Sequence, residues 1–402
     1  MTTIAEGRNA AYAQGGSTIA TDRATARTRL LAIDALRGLV MLFMLLDHTR
    51  ETFYIHLQVT DPMDAATIDP ALFFTRLTSQ ICAPVFVALT GLSAYLYGQS
   101  HSPRETSIFL VKRGAFLVLL ELTVVGFAWT AQFPPQTFWL QVIWCIGWCM
   151  IVLAALLHLP RAWLWIIGGV IVAGHNLLDG IRLTPDSPFH ALWAILHQRA
   201  IIQLGGGLAA KTTYPVLPWI GVITLGYCIG PWFAKGTDAV RRQRNLLLAG
   251  GVLLLGFLLL RFLNVYGDKP WSDMGDGLRT VMSFLSLTKY PPSLLFLLPT
   301  LGIGLVLLAL FERTEGGRAL AALAILGGAP MFFYLLHLYV LKALYLAAFA
   351  IWGPNHGAYF GFDRVSALWL TALLLTVPLY LPSRWFAALK QRRRDISWLR
   401  YL

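Results

Sequence analysis

Long apolar runs recur along this chain, and they restrict its fold more than any motif does. Ten can be placed, at roughly 35–53, 72–98, 108–130, 138–158, 161–178, 215–234, 244–264, 291–311, 328–351 and 365–382. A helix that crosses a bilayer's hydrocarbon core needs about 20 apolar residues, and the runs are close to that length. In hydrocarbon every backbone N–H and C=O has to be satisfied within the protein, so such runs pack as helices. With 57% hydrophobic and 13% charged residues over 402 positions, a soluble domain is excluded. The expectation is an all-α, polytopic membrane helix bundle of ten or eleven transmembrane helices.

Charge placement gives that bundle an orientation. An even number of spans puts both termini on one side, and excess Lys and Arg marks the cytoplasm. Arg8, Arg23, Arg27 and Arg29 precede the first run, and Arg104, Lys112 and Arg113 follow the second. Lys235, Arg241, Arg242 and Arg244 fall on the same side, as do Arg384, Lys390, Arg392, Arg393, Arg394 and Arg400 at the C-terminal end. Segments on the other side carry Asp61, Asp64 and Asp69, then Asp268, Asp273 and Asp276. Roughly 20 basic residues lie inside against about 8 outside, so both termini are expected to be cytoplasmic. The organisation expected is a flexible cytoplasmic tail (1–30), a transmembrane domain (31–385) and a basic cytoplasmic tail (386–402). The first 30 residues lack the apolar core of a signal peptide. The net charge of +12 is accounted for by this bias and by attraction to anionic lipid, without nucleic acid as a partner.

Cys82, Cys145, Cys149 and Cys228 all sit inside apolar runs, where a thiol behaves as a small hydrophobe. No nearby His or carboxylate completes a metal set around Cys145 and Cys149, so no metal is expected. Phosphate-binding loops and dinucleotide fingerprints are absent, which argues against nucleotide-driven pumping.

The first run is unusually polar along one face. Asp34, Arg37, Met41, Met44 and His48 fall within roughly 80° of one another on a helix and span about 21 Å of its length. Ionisable groups in a membrane helix usually face protein or a water-filled cavity, so the stripe suggests one wall of a polar tunnel. The alternative is an anchor pair, Asp34 and Arg37, with His48 snorkelling outward. Elsewhere in the membrane part, Glu121 needs a cation, with Arg76 and Arg113 as candidates, and Pro84 and Gly91 are expected to kink or thin the second helix. Tyr334 and His337 share a helix face behind a Gly-Gly-Ala-Pro break. Two longer segments, about 179–214 and 265–290, have the length of lids, half-buried amphipathic segments or binding loops.

Four motifs in order resemble one family. They are Asp34-x-x-Arg37-Gly38 with a helix ending in Asp47-His48; Cys82-Ala83-Pro84-Val85-Phe86-Val87-Ala88-Leu89-Thr90-Gly91; Tyr214-Pro215-Val216-Leu217-Pro218-Trp219-Ile220-Gly221; and Met331-Phe332-Phe333-Tyr334-Leu335-Leu336-His337. Over about residues 30–350 the chain resembles the bacterial form of the heparan-α-glucosaminide N-acetyltransferase catalytic-domain family, within the broader transmembrane acyltransferases. The resemblance implies acyl transfer across the bacterial inner membrane, from cytoplasmic acyl-CoA to an amine or hydroxyl of an extracytoplasmic sugar or glycan. It leaves two histidines in play. In lysosomal members the active histidine follows the first span, where this chain has His56. The surface-polysaccharide branch matches His48 residue for residue.

The residues support that chemistry on their own terms. Attack on a thioester needs a base or a nucleophile, and His serves as either near neutral pH. His48 is the favoured catalytic residue, with His56 in reserve and Asp47 or Glu51 orienting the ring; Glu51 shares its helix face. Arg37, with Asp34 and Arg76, is the candidate acyl-CoA-binding set, and His337 and Tyr334 are candidates for the acceptor or the oxyanion. Acetyl-CoA is then a co-substrate and no cofactor is bound permanently. Arg37 and His48 are about 16 Å apart by axial rise, on the order of an extended pantetheine arm, which favours direct transfer over an acyl-enzyme. A secondary transporter using the intramembrane Asp, Arg, Glu and His, and a non-catalytic envelope partner, are the alternative readings. N- or O-acylation, acyl-chain length and a homo-oligomeric state are all left open.

Overall fold

The computed structural model describes residues 31–314, 317–393, 395–396, 399 and 401. The expected tail 1–30 lies outside the described residues, as do Arg394 and Arg400 of the C-terminal basic cluster. Every apolar run contains a helix. The first, α1, covers residues 31–53. It is followed by α2 (Pro70–Thr78) and α3 (Cys82–Gly98), joined through a 3-10 turn at Ser79–Ile81. Next come α4 (Pro103–Leu120), a π-helical turn at Glu121–Val125, α5 (Gly126–Thr130), α6 (Val142–Leu156) and α7 (Arg161–Gly174). The second half holds α8 (His190–Leu196), α9 (Leu217–Cys228), α10 (Ala239–Leu263), α11 (Gly277–Leu285), α12 (Leu294–Arg313), α13 (Arg318–Gly327), α14 (Pro330–Trp352) and α15 (Val365–Arg392). Among the described residues, six stretches are long and apolar enough to cross a membrane: Pro70–Gly98, Arg161–Leu178, Ala239–Leu263, Leu294–Arg313, Pro330–Trp352 and Val365–Arg392. Val252 and Phe262 on α10 and Leu373 and Val377 on α15 point outward and are strongly exposed, as lipid-facing side chains are. This is an integral membrane protein built mainly of helices.

The helices meet on glycines. A Cβ at Gly327 would lie 1.8 Å from the Asp34 carbonyl oxygen, and one at Gly38 would lie 2.0 Å from that of Leu323. So α1 and α13 touch backbone to backbone. Gly91 and Gly226 do the same for α3 and α9, where a Cβ would meet the carbonyls of Ile223 and Ala88 at 2.0 and 2.2 Å. Small residues at crossings are how membrane helices gain contact when burial of apolar surface drives little. Arg242 of α10 donates a bifurcated hydrogen bond to Glu312 of α12, its Nε lying 2.8 and 2.9 Å from the two carboxylate oxygens.

The structure corrects two expectations. The fold is not purely helical: β1 (Thr137–Leu140) runs parallel to β3 (Leu208–Thr212), which pairs antiparallel with β2 (Ile201–Gly205). Gly205, Gly206 and Gly207, all with positive φ, turn the β2–β3 hairpin, and only residues without Cβ take three such conformations in a row cheaply. Among the described residues, Glu121 is paired with no cation. One of its oxygens accepts the backbone N–H groups of Ile143 and Trp144 at 3.0 and 3.1 Å, serving the first turn of α6. The last helix, α15, continues past position 386 to Arg392.

Arg261 organises the 265–290 segment. Fully buried, it donates to the carbonyls of Lys269, Ser283, Phe284 and Ser286 at 2.7–3.1 Å. The same segment carries the amphipathic α11, which buries Met282 against Met63, Ala65 and Phe73. It therefore clasps the 54–69 connection and places Lys289 and Tyr290 over the end of α1.

Candidate active site

A cavity of about 410 Å³ lies within the bundle, inside the size range of small-molecule sites. Its lining includes Thr90, Arg113 and Leu117 and, nearer the dyad described below, Met44, Phe86 and His48. Asp61, Arg199, Lys211, Lys289 and Tyr290 line it as well. Of the stripe on α1, Met44 and His48 border the cavity, whereas Asp34, Arg37 and Met41 do not, and Arg37 is paired with Asp34.

His48 pairs with a second histidine. Its Nδ1 is 2.7 Å from Nε2 of His337, and the two rings are stacked at 7°. His337 Nδ1 is in turn 2.7 Å from the Phe333 carbonyl oxygen one turn earlier on α14. The tautomers follow from that order. A carbonyl only accepts, so His337 carries its proton on Nδ1 and, when neutral, offers a lone pair at Nε2. His48 then donates from Nδ1, which leaves its own Nε2 lone pair free. His337 is completely buried and does not border the cavity, whereas His48 does. The dyad thus presents one basic nitrogen beside the cavity and holds it from behind.

Two aromatic donors lie beside the His48 ring. The Trp129 ring lies 5.0 Å from His48 and that of Tyr334 5.8 Å, centroid to centroid, both edge-on. Trp129 Nε1 and Tyr334 Oη are buried without a hydrogen-bond partner, although both residues border the cavity. Unsatisfied buried donors are costly, and these two lie close to each other beside the cavity.

Asp47 and Glu51 do not hold the His48 ring. Asp47 accepts from Arg50 at 3.0 and 3.1 Å and pairs with Arg76, while Glu51 accepts from Arg50 at 3.1 Å. Arg76 reaches on toward the Tyr290 hydroxyl at 3.4 Å, so it belongs with Tyr290 and not with Arg37. Arg37 itself pairs with Asp34 and with Ser93, and Arg113 and Lys390 share its electrostatic field. Elsewhere on the cavity wall, Asp61 accepts the backbone N–H groups of Lys289 and Tyr290 at 2.9 and 2.8 Å. Burial pushes the Asp61 carboxyl up, and those N–H groups and Arg76 oppose the shift. Burial, with Tyr290 beside it, holds the Tyr214 phenol well above its ordinary value, so it stays protonated in the vestibule. Arg199 lies over the Tyr290 ring at 5.1 Å.

His56 lies elsewhere. Its ring stacks on His356 at 3.8 Å and it does not border the cavity. Sequence reasoning missed Trp129, Arg50 and Lys211. Trp129 looks like any aromatic residue near a span's end, and the other two gain meaning only from what the fold sets opposite them.

A histidine dyad beside a cavity in a helical membrane bundle defines a membrane enzyme site more readily than a surface-anchoring one. The catalytic-domain family of heparan-alpha-glucosaminide N-acetyltransferase matches residues 29–263, more than half of the chain. The chain belongs to that family and is a membrane acetyltransferase. No curated protein matches it. The matched stretch holds His48, Arg37 and Trp129, while His337 and Tyr334 lie beyond it.

Proposed function

We propose that this protein transfers an acetyl or similar acyl group from cytoplasmic acyl-CoA to an amine or hydroxyl of an extracytoplasmic sugar or glycan, with His48 as general base. The observation that carries the reading is the hydrogen-bond order Phe333–His337–His48, which leaves His48 Nε2 free to act as a base beside the cavity. Both termini are taken as cytoplasmic and the ten helix-bearing runs as spans, on the basic-residue bias. Residues 31–385 are taken as the catalytic unit. The Arg37 end then faces the cytoplasm, where Arg37, Arg113 and Lys390 suit the phosphates of CoA. The pantetheine arm follows Thr90, Leu117 and Met44 toward His48. The acceptor enters among Arg199, Lys211, Lys289 and Tyr290, and Glu51 is within reach of an acceptor ammonium or hydroxyl.

The step is then direct. The acceptor's N–H or O–H proton passes to His48 Nε2 as its nitrogen or oxygen attacks the thioester carbon. The oxyanion takes the Tyr334 O–H and Trp129 N–H donors, and the positive charge on His48 is stabilised through Nδ1–H by the His337 lone pair. Collapse breaks the C–S bond, and the departing thiolate recovers the proton from His48. The acyl group never resides on the protein.

Purified protein in detergent, given radiolabelled acetyl-CoA with and without amino-sugar acceptors, tests the reading. Acceptor-dependent label transfer that is lost in His48→Ala is the expected result. Wild-type turnover in His48→Ala with a dead His56→Ala would reassign the base, and solute uptake into liposomes without acetyl transfer would make the protein a carrier. Parallel initial-rate lines with an isolable acetyl-histidine peptide would establish an acyl-enzyme instead.

A further inference from the structure

We propose that His175, Asp179 and His197 bind one divalent transition-metal ion, with zinc the best match, at a site separate from the cavity. His175 opens the 3-10 turn His175–Leu178 that ends α7, Asp179 follows that turn, and His197 closes α8. His175 Nδ1 is 3.3 Å from His197 Nε2, which is 3.7 Å from Asp179 Oδ1, and the three atoms all lie within 4.8 Å of one another. In a tetrahedral zinc site with bonds of about 2.0–2.1 Å, neighbouring ligand atoms are about 3.3 Å apart. The histidine pair already has that spacing, which is long for an N–H···N hydrogen bond.

The surroundings are those of a metal site. Both imidazoles are buried, while Asp179 is exposed and leaves an entry path and room for a water ligand. Asn176 Nδ2 holds the second Asp179 oxygen at 2.8 Å, so the first is turned toward the histidines, an outer-shell contact of the kind that orients metal carboxylates. Asn176 Oδ1 accepts the Leu294 N–H at 2.8 Å and anchors the turn to α12. Two imidazole nitrogens and one carboxylate suit zinc or its neighbours and are too poor in oxygen for calcium or magnesium.

None of the three ligands borders the cavity, so the role is structural. His197 is followed by Gln198, whose amide pairs with both backbone groups of Leu183, and then by Arg199, which borders the cavity mouth. An ion here staples the end of α7 to the segment that carries Arg199 and the β2–β3 hairpin with Lys211.

The test is metal binding itself. Chelator-stripped full-length protein in detergent is titrated with zinc chloride by calorimetry, and with cobalt chloride by visible absorption. Wild type is expected to take one equivalent of zinc, to show the intense d–d bands of tetrahedral cobalt, and to gain thermal stability with zinc. His197→Ala is expected to lose all three signals. Asp179→Ala, an exposed change that keeps the helices intact, is expected to weaken zinc binding about 10–100-fold. Zinc uptake of the same affinity in wild type and both variants, or no uptake by wild type at micromolar zinc, would overturn the site.

Discussion

A histidine near the end of a membrane helix has few polar neighbours, and the one it has sets its chemistry. His48 owes its free Nε2 to His337, which owes its own tautomer to the Phe333 carbonyl. Replacing His48 with Ala should lower kcat by about 10³-fold or more while acetyl-CoA affinity stays within about twofold, measured by steady-state kinetics and calorimetry. His337→Ala should cost about 10²–10³-fold in kcat, because the ring of His48 then has no fixed tautomer or orientation. Since only the unprotonated His48 accepts a proton, kcat/KM should fall as pH drops and His48 becomes charged. Tyr334→Phe should lower kcat with little change in acetyl-CoA KM, as expected when a donor acts on the oxyanion and not on the ground state.

Helices in this protein are placed by what they lack as much as by what they carry. Gly38 and Gly327 let α1 and α13 touch, and α14 with His337 starts directly beyond that contact. Gly327→Ala should force the pair apart at a cost of about 1–3 kcal/mol. The readout is a lower melting temperature in detergent together with lost activity, whereas Gly169→Ala, which meets nothing within 4 Å, should change neither. Arg242 and Glu312 join α10 to α12 in the same decisive way. Leaving either one buried without the other should cost about 3–5 kcal/mol, so Glu312→Leu is expected to be more damaging than the double replacement Arg242→Met with Glu312→Leu. A milder contact joins the 54–69 connection to the segment after α14. Burial, then the neighbouring His356, holds His56 below its ordinary range. Protonation therefore costs more in the folded state, and this contact should loosen as pH falls through the ordinary imidazole range, seen as faster amide exchange over 54–62.

On the scale of the whole molecule, the proposed function requires a passage with two chemically different mouths. Arg113 belongs to the end near Arg37, and Lys211 to the end built by the small sheet. In a background without native cysteines, Lys211→Cys should react with an impermeant maleimide in intact cells, and Arg113→Cys only after permeabilisation. Acetyl-CoA should protect Arg113→Cys alone. Labelling of both from one side would mean that the cavity does not join the two faces. A C-terminal reporter active only outside the cytoplasm would reverse the orientation.

The apolar runs by themselves determined that the chain makes membrane helices, because hydrocarbon admits little else. The 3.6-residue period also put Asp34, Arg37 and His48 on one face of α1, a consequence local enough to be legible in one segment. Chain order carried the family resemblance as well. What decides the site is not local: His48 and His337 are far apart in sequence, and no period or spacing links them. The same holds for the Asp47–Arg76 pair, for Trp129 beside Tyr334, and for His175, Asp179 and His197. Glu51 looked the better partner for His48 because i,i+3 geometry is all that one helix displays. Only packing across glycine contacts brought α14 close enough to supply a better one. Secondary structure here follows from solvation along the chain, whereas the chemistry follows from which helices are able to touch.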